Sequence, residues 1–166
     1  IALFEKFHIF TKAELEARKE VLYDTYAKTI NIEALTMIDM ARKQILPAVV
    51  KYTKSLADTV IAVKDAGADA TVQMELLREV SEKLSEAKAA LDALEKAEAT
   101  AKQMKCPKEQ AFYYKEGVVP AMDALRAPVD KLEMLVDKEL WPMPSYGDLI
   151  FEGERIQEGL RRIDMV

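Results

Sequence analysis

The chain has 166 residues, half of them hydrophobic and 32% charged, enough for one domain that buries roughly 70% of its unfolded surface. A net charge of −5 opposes a phosphate backbone, and no locally basic face stands out, so no nucleic-acid partner is expected. No run of about 18 apolar residues occurs, which excludes a membrane-spanning helix and a membrane partner, while the single cysteine, Cys106, excludes a disulfide framework and fits a reducing cytoplasm.

Five glycines, six prolines and 7% aromatic residues suit long helices. The opening Ile1-Ala2-Leu3-Phe4-Glu5-Lys6 lacks an initiator Met, and its apolar run is too short for a signal peptide. It reads as a piece of something longer. Thr11-Lys12-Ala13-Glu14 has the spacing of a capping box, which predicts a helix start. Apolar residues then recur at Leu15, Leu22, Tyr26, Ile30, Leu35, Ile38, Ile45, Val49, Tyr52, Leu56 and Val63, predicting one inward stripe. Pro47 lacks an N–H and crowds the preceding turn, so a kink is expected near Ile45 to Leu46.

Asp65-Ala66-Gly67-Ala68-Asp69-Ala70-Thr71 combines a glycine stop with capping residues and predicts a reversal. From residue 72 to 104 there is no Gly or Pro, and Leu77, Val80, Leu84, Ala87, Leu91 and Leu94 alternate steps of three and four, a coiled-coil-like seam. A helix of that length, about 50 Å, needs a partner of similar length. Lys105-Cys106-Pro107 starts a third helix. It carries Val118, Met122, Leu125, Val129, Leu132 and Val136, with Gly117, Pro120 and Pro128 expected to interrupt all but the part from about Val129 onward. The fold class expected is all-α: an antiparallel three-helix bundle with a kinked first helix. An irregular segment from Leu140 to Phe151 should pack onto it.

Candidate chemistry is sparse. His8 lies among Phe4, Phe7, Ile9 and Phe10 and has no ligand cluster or orienting partner, so a structural role is expected. Cys106 stands beside Lys105 and Lys108 without a second cysteine or an oriented base, which favours a plain loop thiol over a nucleophile. A single histidine cannot supply the two Glu-x-x-His motifs of a di-iron bundle, and no glycine-rich phosphate loop occurs. No catalytic, metal or cofactor-binding residue is therefore assigned. The unusual stretch is Lys28-Thr29-Ile30-Asn31-Ile32-Glu33-Ala34. Asn31 and Glu33 either lie on an exposed arc or hydrogen-bond to another segment or domain and set its register.

That stretch, continued by Leu35-Thr36-Met37 and Ile45-Leu46-Pro47-Ala48, resembles the C-terminal region of type III glutamine synthetases. Leu140-Trp141-Pro142-Met143-Pro144-Ser145-Tyr146-Gly147 is similar to that family's Trp-Pro-x-Pro-[Ser/Thr]-Tyr-Gly closing motif, and Pro120 to Arg126 fits the helix before it. The resemblance covers residues 1–152, taken as the C-terminal helical domain of a larger enzyme; residues 153–166 are taken as an extension without an assigned role.

The resemblance implies a cytoplasmic, mostly bacterial homo-oligomer whose parent enzyme joins glutamate and ammonia using ATP and Mg2+ or Mn2+. The ligands for those cofactors would lie upstream in the catalytic domain, so this piece alone is expected to be inactive. Its expected partners are the catalytic domain of the same chain and neighbouring subunits. Asn31, Glu33, Trp141 and Tyr146 are the candidate contact residues, since Trp and Tyr join a large contact area to a polar tip. The competing readings are a free-standing helical interaction module and, more weakly, a metal- or thiol-dependent bundle enzyme.

Overall fold

The computed structural model describes residues 2–7, 9–144 and 147–150. Within them the chain forms three helical rods running up, down and up. The first joins α2 (Lys12–Met40) to α3 (Leu46–Asp65). The second is α4 (Thr71–Gln103), and the third joins α5 (Pro107–Tyr113) to α6 (Val119–Leu135). A short α1 (Ala2–Lys6) precedes them.

Helix α2 starts at the predicted capping box. The Glu14 N–H donates to Thr11 Oγ1 at 3.3 Å, and the Thr11 N–H donates to Glu14 Oε2 at 2.8 Å, so two donors with no intrahelical partner are satisfied reciprocally. The first rod ends as its glycine requires. Gly67 adopts φ 75°, the Gly67 N–H donates to Lys64 O at 2.9 Å and the Ala68 N–H to Val63 O at 3.1 Å. Only a residue without Cβ takes that left-handed conformation at low cost.

Both composite rods pass their prolines by widening one turn. A π-turn at Ala41–Ile45 lets the Leu46 N–H reach Ala41 O, and Pro47 follows in the first turn of α3. A second π-turn at Tyr114–Val118 lets the Val119 N–H reach Tyr114 O, and Pro120 follows in the first turn of α6. In each case the extra residue removes the clash between the proline ring and the carbonyl four residues earlier. The irregularity expected at Ile45–Leu46 takes this form. Of the bend or interruption expected from Gly117, Pro120 and Pro128, the π-turn that contains Gly117 is the part that forms; at Pro128 none occurs, for α6 runs through it and ends at Leu135. Gly117 assists, because a Cβ there would come within 3.1 Å of the Tyr113 ring, which lies against the turn.

Two hydrophobic clusters fill the bundle. The distal one joins Ile45, Val49 and Leu56 to Val80, Ala87, Leu132 and Val136. The proximal one joins Ala27, Ala34 and Ala41 to Leu91, Leu94, Ala101, Tyr114, Val118 and Leu125. Each fully buried leucine contributes about 1.5–3 kcal/mol, which offsets the weak stability of an isolated helix.

The inward stripe of α2 agrees with the expected one at Ile30 and Ile38, which pack on the proximal cluster, and differs from it elsewhere. Its buried residues are Ala27 and Ala34, continued by Ala41 and Ala48, every seventh residue. Leu22, Tyr26 and Leu35 face outward. Small side chains let α2 approach its neighbours closely, and a line of alanines at heptad spacing makes the seam that large aliphatics were expected to make.

Candidate functional site

Asn31 lies in α2, across from the π-turn that opens α6. The Tyr114 hydroxyl donates to Asn31 Oδ1 at 3.1 Å, joining the first rod to the third across 83 positions of sequence. Tyr114 is only 2% exposed, and burial, reinforced by the negative charge of Glu98, raises its phenol above the ordinary value of 10.0. The neutral phenol is thus kept as a donor.

Glu98 is the buried carboxylate of this neighbourhood. Lys102 Nζ stands 2.6 Å from its Oε1, yet that oxygen makes no directed hydrogen bond. The contact is ionic and sits at the bundle's edge, since half of the Lys102 side chain is in solvent. Below it, the Gln110 side-chain amide donates to Ala101 O at 3.1 Å, which occupies a carbonyl left open where α4 ends. The Tyr114 and Gln110 bonds tie the third rod to the first and second, whereas the Glu98–Lys102 pair lies within α4.

Of the four candidate contact residues, the three described ones, Asn31, Glu33 and Trp141, are not brought onto one face. Glu33 is exposed on α2, two residues from the Asn31 anchor. Trp141 packs on the distal cluster with Tyr52 and Met143, about 30 Å farther along the first rod at 1.5 Å per residue. Its backbone N–H donates to Asp137 O at 3.0 Å, while its indole Nε1 is buried without a hydrogen-bond partner. Tyr146 lies outside the described residues, as does His8.

Tyr114 and Glu98 were not singled out from sequence, though both carried a signal. Continuing the α4 seam from Leu91 and Leu94 by steps of four and three lands on Glu98 and Ala101, and stepping back four from Val118 lands on Tyr114. A polar residue at a seam position predicts a buried polar contact.

Cys106 is an exposed free thiol at the N-cap of α5. Among the described residues no three His, Cys, Asp or Glu side chains group together as a metal site would require. No helix among them is long and apolar enough to cross a membrane.

Another surface does stand open. Tyr23 and Phe112 lie with ring centroids 6.1 Å apart, and with Tyr26, Ala111 and Lys115 they line a shallow groove of about 220 Å³ at the proximal end.

Residues 1–64 match the family described as glutamine synthetase C-terminal domain. A glutamine synthetase of Bacteroides fragilis is 32% identical over 86% of this chain, and one of Butyrivibrio fibrisolvens is 33% identical over 91%. The type-3 glutamine synthetase of Dictyostelium discoideum is 30% identical over 91% of the chain. The chain spans about a fifth of the length of these relatives, 20%, 22% and 21% respectively. An all-helical bundle whose first rod carries the family match, together with relatives that agree along most of its length, places this chain in the glutamine synthetase family as its C-terminal domain.

Proposed function

We propose that this domain is a structural and assembly element of a glutamate–ammonia ligase and takes no direct part in the chemistry. The parent would join glutamate and ammonia at the expense of ATP, with Mg2+ or Mn2+ held by its catalytic region, in the cytoplasm and as a homo-oligomer. The observation that carries this reading is coverage: the chain agrees with its relatives over nearly all of its own length yet spans only about a fifth of theirs. The geometry supports it, because the conspicuous polar residues of the bundle are engaged in joining rods to one another, as in the Tyr114 to Asn31 hydrogen bond.

Glu33 and Trp141, with Tyr146 beyond the described residues, are proposed to contact the catalytic region or a neighbouring subunit. In this reading Glu33 and Trp141, which lie apart along the bundle, serve two separate contact areas. Glu33→Lys and Trp141→Ala in the complete enzyme should each reduce oligomer mass in light scattering. Glu33→Lys is the cleaner variant, since Glu33 is exposed and Trp141 also packs on the core. Unchanged mass and activity in both variants would remove the assembly role. The purified 166-residue chain should form no glutamine from glutamate, ammonia and ATP, and turnover by it would overturn the structural reading.

A further inference from the structure

Helix α2 differs from the other long helices. In α3, α4 and α6 the apolar residues gather on one side, as in helices that cover a core and face water. In α2 they are spread around the circumference. One side is the alanine line buried in the bundle. Leu15, Leu22 and Tyr26 follow one another at helical spacing along the adjoining edge, and Val21, Ile32 and Leu35 lie farther round. Leu22 is 69% exposed and Ile32 65%. Val21, Leu22, Tyr26, Ile32 and Leu35 of α2 are exposed, against Val50 and Ile61 on α3, Val72 on α4 and Met134 on α6, and such a concentration of apolar side chains on one helix marks a contact.

We propose that these open sides of α2, with the Tyr23, Tyr26 and Phe112 groove, seat the portion of the parent chain that precedes this domain in its relatives. The proposal rests on the assembly reading above and names the surface and the occupant.

Three observations select that occupant. The family match, residues 1–64, is carried by the rod with the open sides, and some four-fifths of each relative's length lies outside the aligned domain. Next, the segment leading into α2 holds Leu3, Phe4, Phe7 and Ile9 exposed beside the start of that helix. The Phe4 and Phe10 rings are 6.0 Å apart, and the Arg18 guanidinium lies 4.4 Å from the Phe10 ring centroid. The portion of a relative's chain outside the aligned domain is covalently joined to it, so it meets this surface at an effective concentration in the millimolar range.

Third, the first turns of α2 are electrically balanced, with Lys12, Arg18 and Lys19 against Glu14, Glu16 and Glu20. Such a surface suits an apolar protein face better than an anionic membrane, which favours a cationic helix.

The test uses the complete enzyme carrying either Leu22→Cys or Val72→Cys. Leu22 and Val72 are similarly exposed in this domain, 69% and 73%, and Val72 lies at the distal end. Maleimide attachment at each site is followed by peptide mass spectrometry. The thiol of Leu22→Cys should react at least about tenfold more slowly than that of Val72→Cys, because its exposure would require local opening of the contact. Tyr26→Cys should be protected likewise, which guards against an effect peculiar to one variant.

Equal rates in an enzyme that still makes glutamine would overturn the inference and leave the assembly reading intact. Protection that vanishes when the oligomer is diluted to single subunits would assign the cover to a neighbouring copy and also overturn it. A complete wild-type chain that makes no glutamine would instead remove the parent reading, and the named occupant with it.

Discussion

The two ends of the bundle solve the same packing problem with opposite materials. At the distal end large aliphatics point inward, with Val49, Val80 and Leu132 wholly buried, and the closing segment lays Trp141 and Met143 over them. At the proximal end α2 contributes alanines to the fully buried core, with Ile30, Met37 and Ile38 packed at its edge, while Leu22, Ile32 and Leu35 face outward. The distal half exposes Val50, Ile61, Val72 and Met134 on three different helices, whereas the exposed large apolar residues of the first rod's proximal part gather on α2. Hydrophobic residues facing outward at helical spacing indicate an interface when the inward line is already filled by small residues.

The sharpest way to break this contrast is a matched pair of truncations. Leu132→Ala should destabilise the domain by about 2–5 kcal/mol, because a buried leucine leaves a cavity. Leu22→Ala should change its unfolding free energy by no more than about 0.5 kcal/mol, as for other exposed positions. Chemical denaturation of both variants checks this, and comparable losses would mean that α2 is packed differently. Next in size is Ala34→Leu. It forces a large side chain between closely packed rods, with an expected loss of about 1–3 kcal/mol, and a neutral result would remove the close-approach account of the alanine line.

Tyr114→Phe should cost about 1 kcal/mol by leaving Asn31 without its cross-rod donor. It also carries a pH signature. The phenols of Tyr114 and Tyr52 are raised above 10.0, mainly by burial, with Glu98 adding to the first and Asp137 to the second. A raised folded pKa means that the unfolded chain loses its proton first. The corresponding stability is fully present below about 10.0 and is lost as pH rises through the higher folded value. Alkaline titration of the Tyr114→Phe variant should show a shallower decline than the parent, and parallel curves would detach Tyr114 from that loss.

The smallest effect is local. The Thr11 backbone and side chain hold the Glu14 carboxyl below its ordinary 4.5. The capping box is therefore intact above that pH and is lost as pH falls through the lowered value. Amide protection factors at residues 12–15, taken against intrinsic exchange at each pH, should fall in acid, with little change at the distal core.

Much of this architecture was legible because local rules agreed with the global fold. Thr11 and Glu14 announced a helix start, Gly67 a stop, Pro107 a restart, and the steps from Val80 to Leu94 a seam. Each is set by backbone geometry and nearest neighbours. The passage of Pro47 and Pro120 through π-turns was less legible, since proline chemistry demands relief but permits a kink, a break or a widened turn. Asn31 could be marked as unusual from its neighbours in sequence, whereas its partner Tyr114 lies 83 residues away and could be found only by folding the chain.

Sequence alone determined the number of rods, their approximate lengths, their reversals and the family resemblance, because capping, helical period and turn chemistry act over a few residues. Tertiary structure decided which side of α2 turns inward. Alanine and leucine are both good helix formers, so helix formation does not distinguish the two sides. The spacing available between rods selects the small residues and leaves the large ones for another surface.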